Sequence, residues 1–103
     1  MKLKDYNTDL KQRLLDLEEA GAYLTACYED SHEVFLLGLR QVVDAHGGIS
    51  ALADTTNLNR ENLYRILSEN GNPQISSLGL ILEGLGIGLE FKVIGSKAGK
   101  GRA

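Results

Sequence analysis

What most constrains this chain is its punctuation: residues that cap helix N-termini recur just ahead of apolar residues spaced by three and four, the α-helical period. Leu10, Leu14 and Leu17 share one helical face behind Thr8 or Asp9. Asp16 opens a second start, with Glu19 placed to complete an Asp-x-x-Glu capping box. Tyr23, Leu24, Cys27 and Tyr28 continue the apolar stripe. Asp30 and Ser31 offer the next cap, and Val34, Phe35, Leu37, Leu39, Val42 and Ala45 make a broad apolar face that stops at Gly47-Gly48. The helices then shorten. Ile49, Leu52, Ala53 and Thr56 define one short helix, Asn57 interrupts, and Asn59 can cap another bearing Leu63, Ile66 and Leu67, ending before Asn70-Gly71-Asn72-Pro73. Ser76 or Ser77 caps a further helix with Leu78, Ile81, Leu82 and Leu85, closed by Gly86. This predicts an all-α fold of five to six helices with one exception: Leu89 to Ile94 alternates in the manner of a short C-terminal β-strand.

At 103 residues the chain can enclose one modest hydrophobic core. The expectation is a single domain over residues 1–94 and a disordered, basic, Gly-rich tail over 95–103. No apolar run approaches the roughly 20 residues that span a bilayer. The charged start Met1-Lys2-Leu3-Lys4-Asp5 is not the apolar core of a signal peptide, so a cytoplasmic location without membrane contact is expected. One cysteine, Cys27, and two histidines, His32 and His46, supply neither an internal disulfide nor a ready metal site. No metal, cofactor or catalytic residue is expected. Glu18 and Glu19 fall in a first helical turn, where acids stabilise the dipole without doing chemistry. The Gly84 to Gly88 run follows a helix and precedes the strand, the reverse of a dinucleotide-binding context, and Gly95 to Lys100 has neither the spacing nor the following helix of a phosphate loop.

The net charge of −3 excludes a surface coated in base, so any grip on nucleic acid must be local. Residues 49–68 supply such a site. A helix-turn-helix needs a small residue where two short helices meet, a turn that tolerates positive φ, and apolar anchors on the second helix. Ala53, Asn57 and the set Leu58, Leu63 and Ile66 fill those places. With Leu63, Ile66 and Leu67 turned inward, Asn59, Arg60, Glu61, Asn62, Tyr64, Arg65 and Ser68 face solvent. Arg pairs bidentately with guanine and Asn with adenine, and the start of the second helix comes closest to base edges. Tyr64 and Ser50 suit phosphates, Ser50 with help from the preceding helix N-terminus.

The stretch Gly48-Ile-Ser-Ala-Leu-Ala53 through Leu58-Asn-Arg-Glu-Asn-Leu-Tyr-Arg-Ile-Leu-Ser68, followed by Gly71-Asn72-Pro73, resembles the addiction-module antidote family, the HigA-like antitoxins related to lambda-type phage repressors. Leu24, the long helix to His46-Gly47, and Leu85-Gly-Ile-Gly-Leu89 also look like that family, so the resemblance covers nearly all of the chain before the tail. Asn57 stands where the family favours Gly, and Gly79 interrupts a helix. The resemblance implies a transcriptional repressor that binds the operator of its own operon and neutralises a RelE-like or HigB-like toxin as the antitoxin of a type II toxin-antitoxin module. A free-standing prophage-type repressor without a toxin is the alternative within DNA binding, and a protein-only interaction module the alternative outside it.

The lone strand carries a further expectation. Leu89, Phe91 and Val93 point one way and Glu90 and Lys92 the other, and Leu3 to Tyr6 is a poor partner within the chain. Pairing with a second copy would give a homodimer with Leu89, Phe91 and Val93 in its interface. Two recognition helices would then sit about 34–36 Å apart, which calls for an inverted-repeat operator on double-stranded DNA.

Overall fold

The computed structural model describes residues 3–95, with side chains from residue 8 onward. Within that range the chain is all-helical: α1 (Leu3–Leu14), α2 (Leu17–Asp30), α3 (His32–Ala45), α4 (Gly48–Thr56), α5 (Arg60–Ile66) and α6 (Ile75–Leu85). Three N-termini are closed by side chains. Asp16 accepts from the N–H groups of Glu18 and Glu19 at 2.9 and 3.2 Å, Ser31 from Val34 at 3.1 Å, and Asn59 from Asn62 at 3.1 Å. Each cap satisfies a donor that the helix itself leaves open, an effect of typically ~1 kcal/mol. At the other end of α6, Gly86 takes the left-handed conformation (φ 87°), and the Ile87 N–H reaches back to the Leu82 carbonyl at 2.8 Å.

Three features of the helix ends differ from the sequence reading. α1 begins at Leu3, so Thr8 and Asp9 lie inside it. Thr and Asp favour caps by preference only, and a helix interior admits both. The Asp16 capping box is one-sided: the Asp16 N–H already donates to the Arg13 carbonyl at 3.2 Å, and the Glu19 carboxylate pairs with Arg13 at 3.5 Å. α6 starts one residue after Gln74, which makes no side-chain cap bond, and Ser76 and Ser77 fall in its first turn.

α3 is the centre of the molecule, packing on α1, α2 and α4, while α4 in turn carries α5 and α6. One core runs through all six helices, from Leu10, Leu14 and Leu24 through Leu39 and Val42 to Leu52, Leu63, Ile81 and Leu82. Two glycines permit its tightest crossings. A Cβ on Gly38 would meet the Cys27 Sγ at 2.7 Å, between α3 and α2, and one on Gly84 would meet the Thr56 Cγ2 at 2.5 Å, between α6 and α4. The end of α3 is fastened to the end of α1 by His46, whose Nε2 lies 2.8 Å from the Leu14 carbonyl.

The expected strand over 89–94 does not form. Residues 87–95 are neither helix nor strand, and Leu3 to Tyr6, the other candidate, lies within α1. Alternation alone does not make a strand, because an unpaired one leaves its backbone without a ladder. Leu89, Phe91, Val93 and Ile94 are exposed, Phe91 to 87% and Val93 to 91%. The segment is tied to the end of α2 by Lys92, whose Nζ lies 3.0 Å from the Glu29 carboxylate. Of the expected tail, residues 96–103 lie outside the described residues.

Candidate nucleic-acid interface

The α4–α5 connection is built almost wholly from local bonds. Asn57 sits at φ 63° and is the one non-glycine residue with positive φ among those described; its N–H donates to the Ala53 carbonyl at 3.0 Å. Asn occupies this left-handed region more readily than other non-glycine residues because its short side chain can bond locally. Thr56 then relays the turn: its hydroxyl donates to the Leu52 carbonyl at 2.8 Å and accepts from the Leu58 N–H at 3.2 Å. Leu58 packs against the core, and Asn59 in extended conformation opens α5. Ala53 is partly buried against the same core.

α5 has two faces. Leu63, Ile66 and the C-cap Leu67 are buried, Leu63 completely. Arg60, Glu61, Tyr64, Arg65 and Ser68 are exposed, as is Asn59, while Asn62 is half-buried. The expected residues therefore fall on one short helix and its ends, with Ser50 apart from them in the first turn of α4. Several already have bonds. The Asn59 side-chain oxygen is engaged by the Asn62 N–H, the Arg65 guanidinium donates to the Asn62 side-chain oxygen, and the Ser68 hydroxyl donates to the Arg65 carbonyl at 2.8 Å. Asn62 and Arg65 thus form a coupled pair. A partner that binds both bidentately must reorganise that contact, whereas Arg60 carries no such side-chain bond among those described. Glu61 lies in the first turn, where it complements the helix dipole and limits the positive potential of this face.

One residue of the site escaped the sequence reading. Arg40 of α3 donates from Nη1 to the Leu67 carbonyl at 2.8 Å, so a guanidinium from another helix caps the C-terminus of α5. Arg40, Asp44, Ile49, Tyr64 and Ser68 line a groove of about 520 Å³ between α3, the start of α4 and α5. The only available signal was that Arg40 is the one Lys or Arg in α3, set beside the apolar Leu39 and Val42.

Elsewhere the chain offers little chemistry. Cys27 is buried, and that burial pushes its thiol up, partly opposed by a hydrogen bond with Tyr23 and helped by the nearby Asp30 charge. Among the described residues no group of three or more His, Cys, Asp or Glu side chains is placed to hold a metal ion. No helix there is long and apolar enough to cross a membrane.

These features define a small all-helical protein with a polar, exposed short helix presented by a tight left-handed turn. The chain belongs to the addiction module antidote family: the family model described as "probable addiction module antidote protein" matches residues 4–93. It is also 33% identical over 92 residues to an uncharacterized protein of Haemophilus influenzae, an alignment covering 88% of this chain and 90% of that one. No solved structure matches it.

Proposed function

We propose that this chain is a cytoplasmic, sequence-specific DNA-binding repressor acting as the antitoxin of a type II toxin-antitoxin module, with α4, the Asn57 turn and α5 as its helix-turn-helix. Membership of the antidote family supports the antitoxin role in general terms. The observation that carries DNA binding is α5 itself, whose Leu63, Ile66 and Leu67 are anchored while Arg60, Tyr64, Arg65 and Ser68 stand outward. Arg60, Asn62 and Arg65 read base edges in the major groove; Asn59, Ser50, Tyr64 and Ser68 hold phosphates. The protein binds an inverted-repeat operator as a homodimer, and its toxin partner is RelE-like or HigB-like.

The test is a binding titration with DNA from upstream of its own gene, with and without the product of the adjacent gene. Arg60→Ala and Arg65→Ala should each weaken operator binding by about 1–3 kcal/mol where a base contact is lost. An Arg that touches only phosphate should weaken all DNA alike and lower the salt slope by about one. Thermal stability should stay within about 0.5 kcal/mol of the parent, because both residues are exposed. Unchanged affinity in both variants removes α5 from the interface, and an adjacent gene product that neither binds the protein nor alters the shift removes the antitoxin reading.

A further inference from the structure

We infer that residues 89–94 pair antiparallel with the same segment of a second copy, in the one register whose two-fold axis passes through Phe91. The inference rests on the homodimer reading and adds its geometry. It starts from exposure: Leu89, Phe91, Val93 and Ile94 all stand in solvent on a segment that has no strand of its own to join among the described residues. A second copy brings the same segment, and its charges select how the two can meet.

Along an extended chain Leu89, Phe91 and Val93 project to one side, and Glu90 and Lys92 to the other. In an antiparallel pair, directly opposite residues project to the same face. A two-fold axis lying between two residues therefore sets apolar side chains against charged ones, and every such register mixes the faces. Within the alternating run 89–93, three registers keep them apart and pair at least three residues, centred on Glu90, Phe91 or Lys92. Centring on Glu90 places it against the partner's Glu90, and centring on Lys92 places it against the partner's Lys92; like charges directly opposite are unfavourable. Centring on Phe91 sets Phe91 against the partner's Phe91, Leu89 against the partner's Val93, and Glu90 against the partner's Lys92, and symmetry repeats the last two. Only this register satisfies both parity and charge. The apolar side supplies the association, and the charges, worth little individually at an exposed site, choose the alignment. Lys92 keeps Glu29 of its own chain within reach and gains a second carboxylate.

The register is tested by charge reversal on the full chain, read by sedimentation equilibrium. Glu90→Lys leaves each copy wholly positive at the pair and Lys92→Glu wholly negative, so each alone should self-associate about tenfold or more weakly than the parent, as two attractive pairs become repulsive. An equimolar mixture of the two should recover dimers of near-parental affinity, all of them mixed. Melting temperatures of the monomers should match, since both positions are exposed. Phe91→Cys supplies a geometric readout: directly opposite Cβ atoms lie about 4.5–5.5 Å apart, near disulfide range, so mild oxidation should cross-link the copies, whereas Val93→Cys copies should stay uncoupled. Dimers that persist unchanged in both charge variants, or that cross-link better through Val93→Cys, would overturn the register and leave the homodimer standing. A parent that is monomeric at high concentration overturns both.

Discussion

The α4–α5 pair and the segment after Gly86 have similar raw material, short apolar periods broken by polar residues, and opposite outcomes. Leu63 is wholly buried and Phe91 is 87% exposed. Periodicity in α5 has a receiving surface within the chain, because α3, α4 and α6 contribute Leu39, Val42, Leu52 and Ile81 to the same core. Periodicity in 89–94 has none, and the segment stays irregular. A hydrophobic pattern therefore specifies which side of an element seeks cover, and the rest of the fold decides whether cover exists.

The largest expected effect breaks this comparison directly. Leu63→Ala should cost about 2–5 kcal/mol through lost transfer energy and a residual cavity. Phe91→Ala should leave the monomer within about 0.5 kcal/mol of the parent. Denaturant unfolding at a concentration where the protein is monomeric measures both, and equal losses would mean that the segment packs on its own chain after all.

The next pair sharpens the comparison inside the helical body. Gly84→Val should cost about 1–3 kcal/mol, because the added carbons land on Thr56 and on Leu52, whose Cδ1 is 3.1 Å from the Cβ position. Gly79, on the same helix, has nothing within 4 Å of its Cβ position, so Gly79→Ala should stabilise by about 0.5–1 kcal/mol. Thermal melts of the two should move in opposite directions.

The smallest effect concerns Cys27. Burial raises its thiol above the ordinary value of 9.0, so the folded protein holds this proton more tightly than the unfolded chain does. The resulting contribution is complete below the unfolded value and is lost as pH rises through the folded one. Stability of the parent should decline more steeply above pH 9.0 than that of Cys27→Ala. Parallel alkaline profiles would show that the thiol is as well solvated as in the unfolded chain.

Much of the α4–α5 pair was legible because its determinants are neighbours in sequence: Asn57 for the turn, Asn59 for the cap, and Leu63, Ile66 and Leu67 for the inward face. The helix stops at Gly47 and Gly86 were legible for the same reason. What stayed hidden depends on which distant elements meet. The bond from Arg40 to Leu67 spans 27 residues and the contact of His46 with Leu14 spans 32. Gly84 reads as part of a C-cap run, and its role at the crossing with Thr56 becomes visible only once α6 lies on α4. The start of α1 at Leu3 was missed because Thr8 and Asp9 read as caps, although both residue types also occur inside helices. The expected strand does not form within one chain because alternation says nothing about whether a ladder partner is present.

The guanidinium of Arg40 has a consequence for how freely this part of the fold can travel. A fragment running from Gly48 to Ser68 would carry the turn, the cap and every apolar anchor of α5. It would end on a Leu67 carbonyl with no donor, at the negative pole of a seven-residue helix. The two helices are therefore no portable cassette. Grafted into a foreign scaffold, they would need a cation delivered from the host at the position of Arg40, and a chimera lacking it could lose its helix end although every residue of the transplanted stretch was correct.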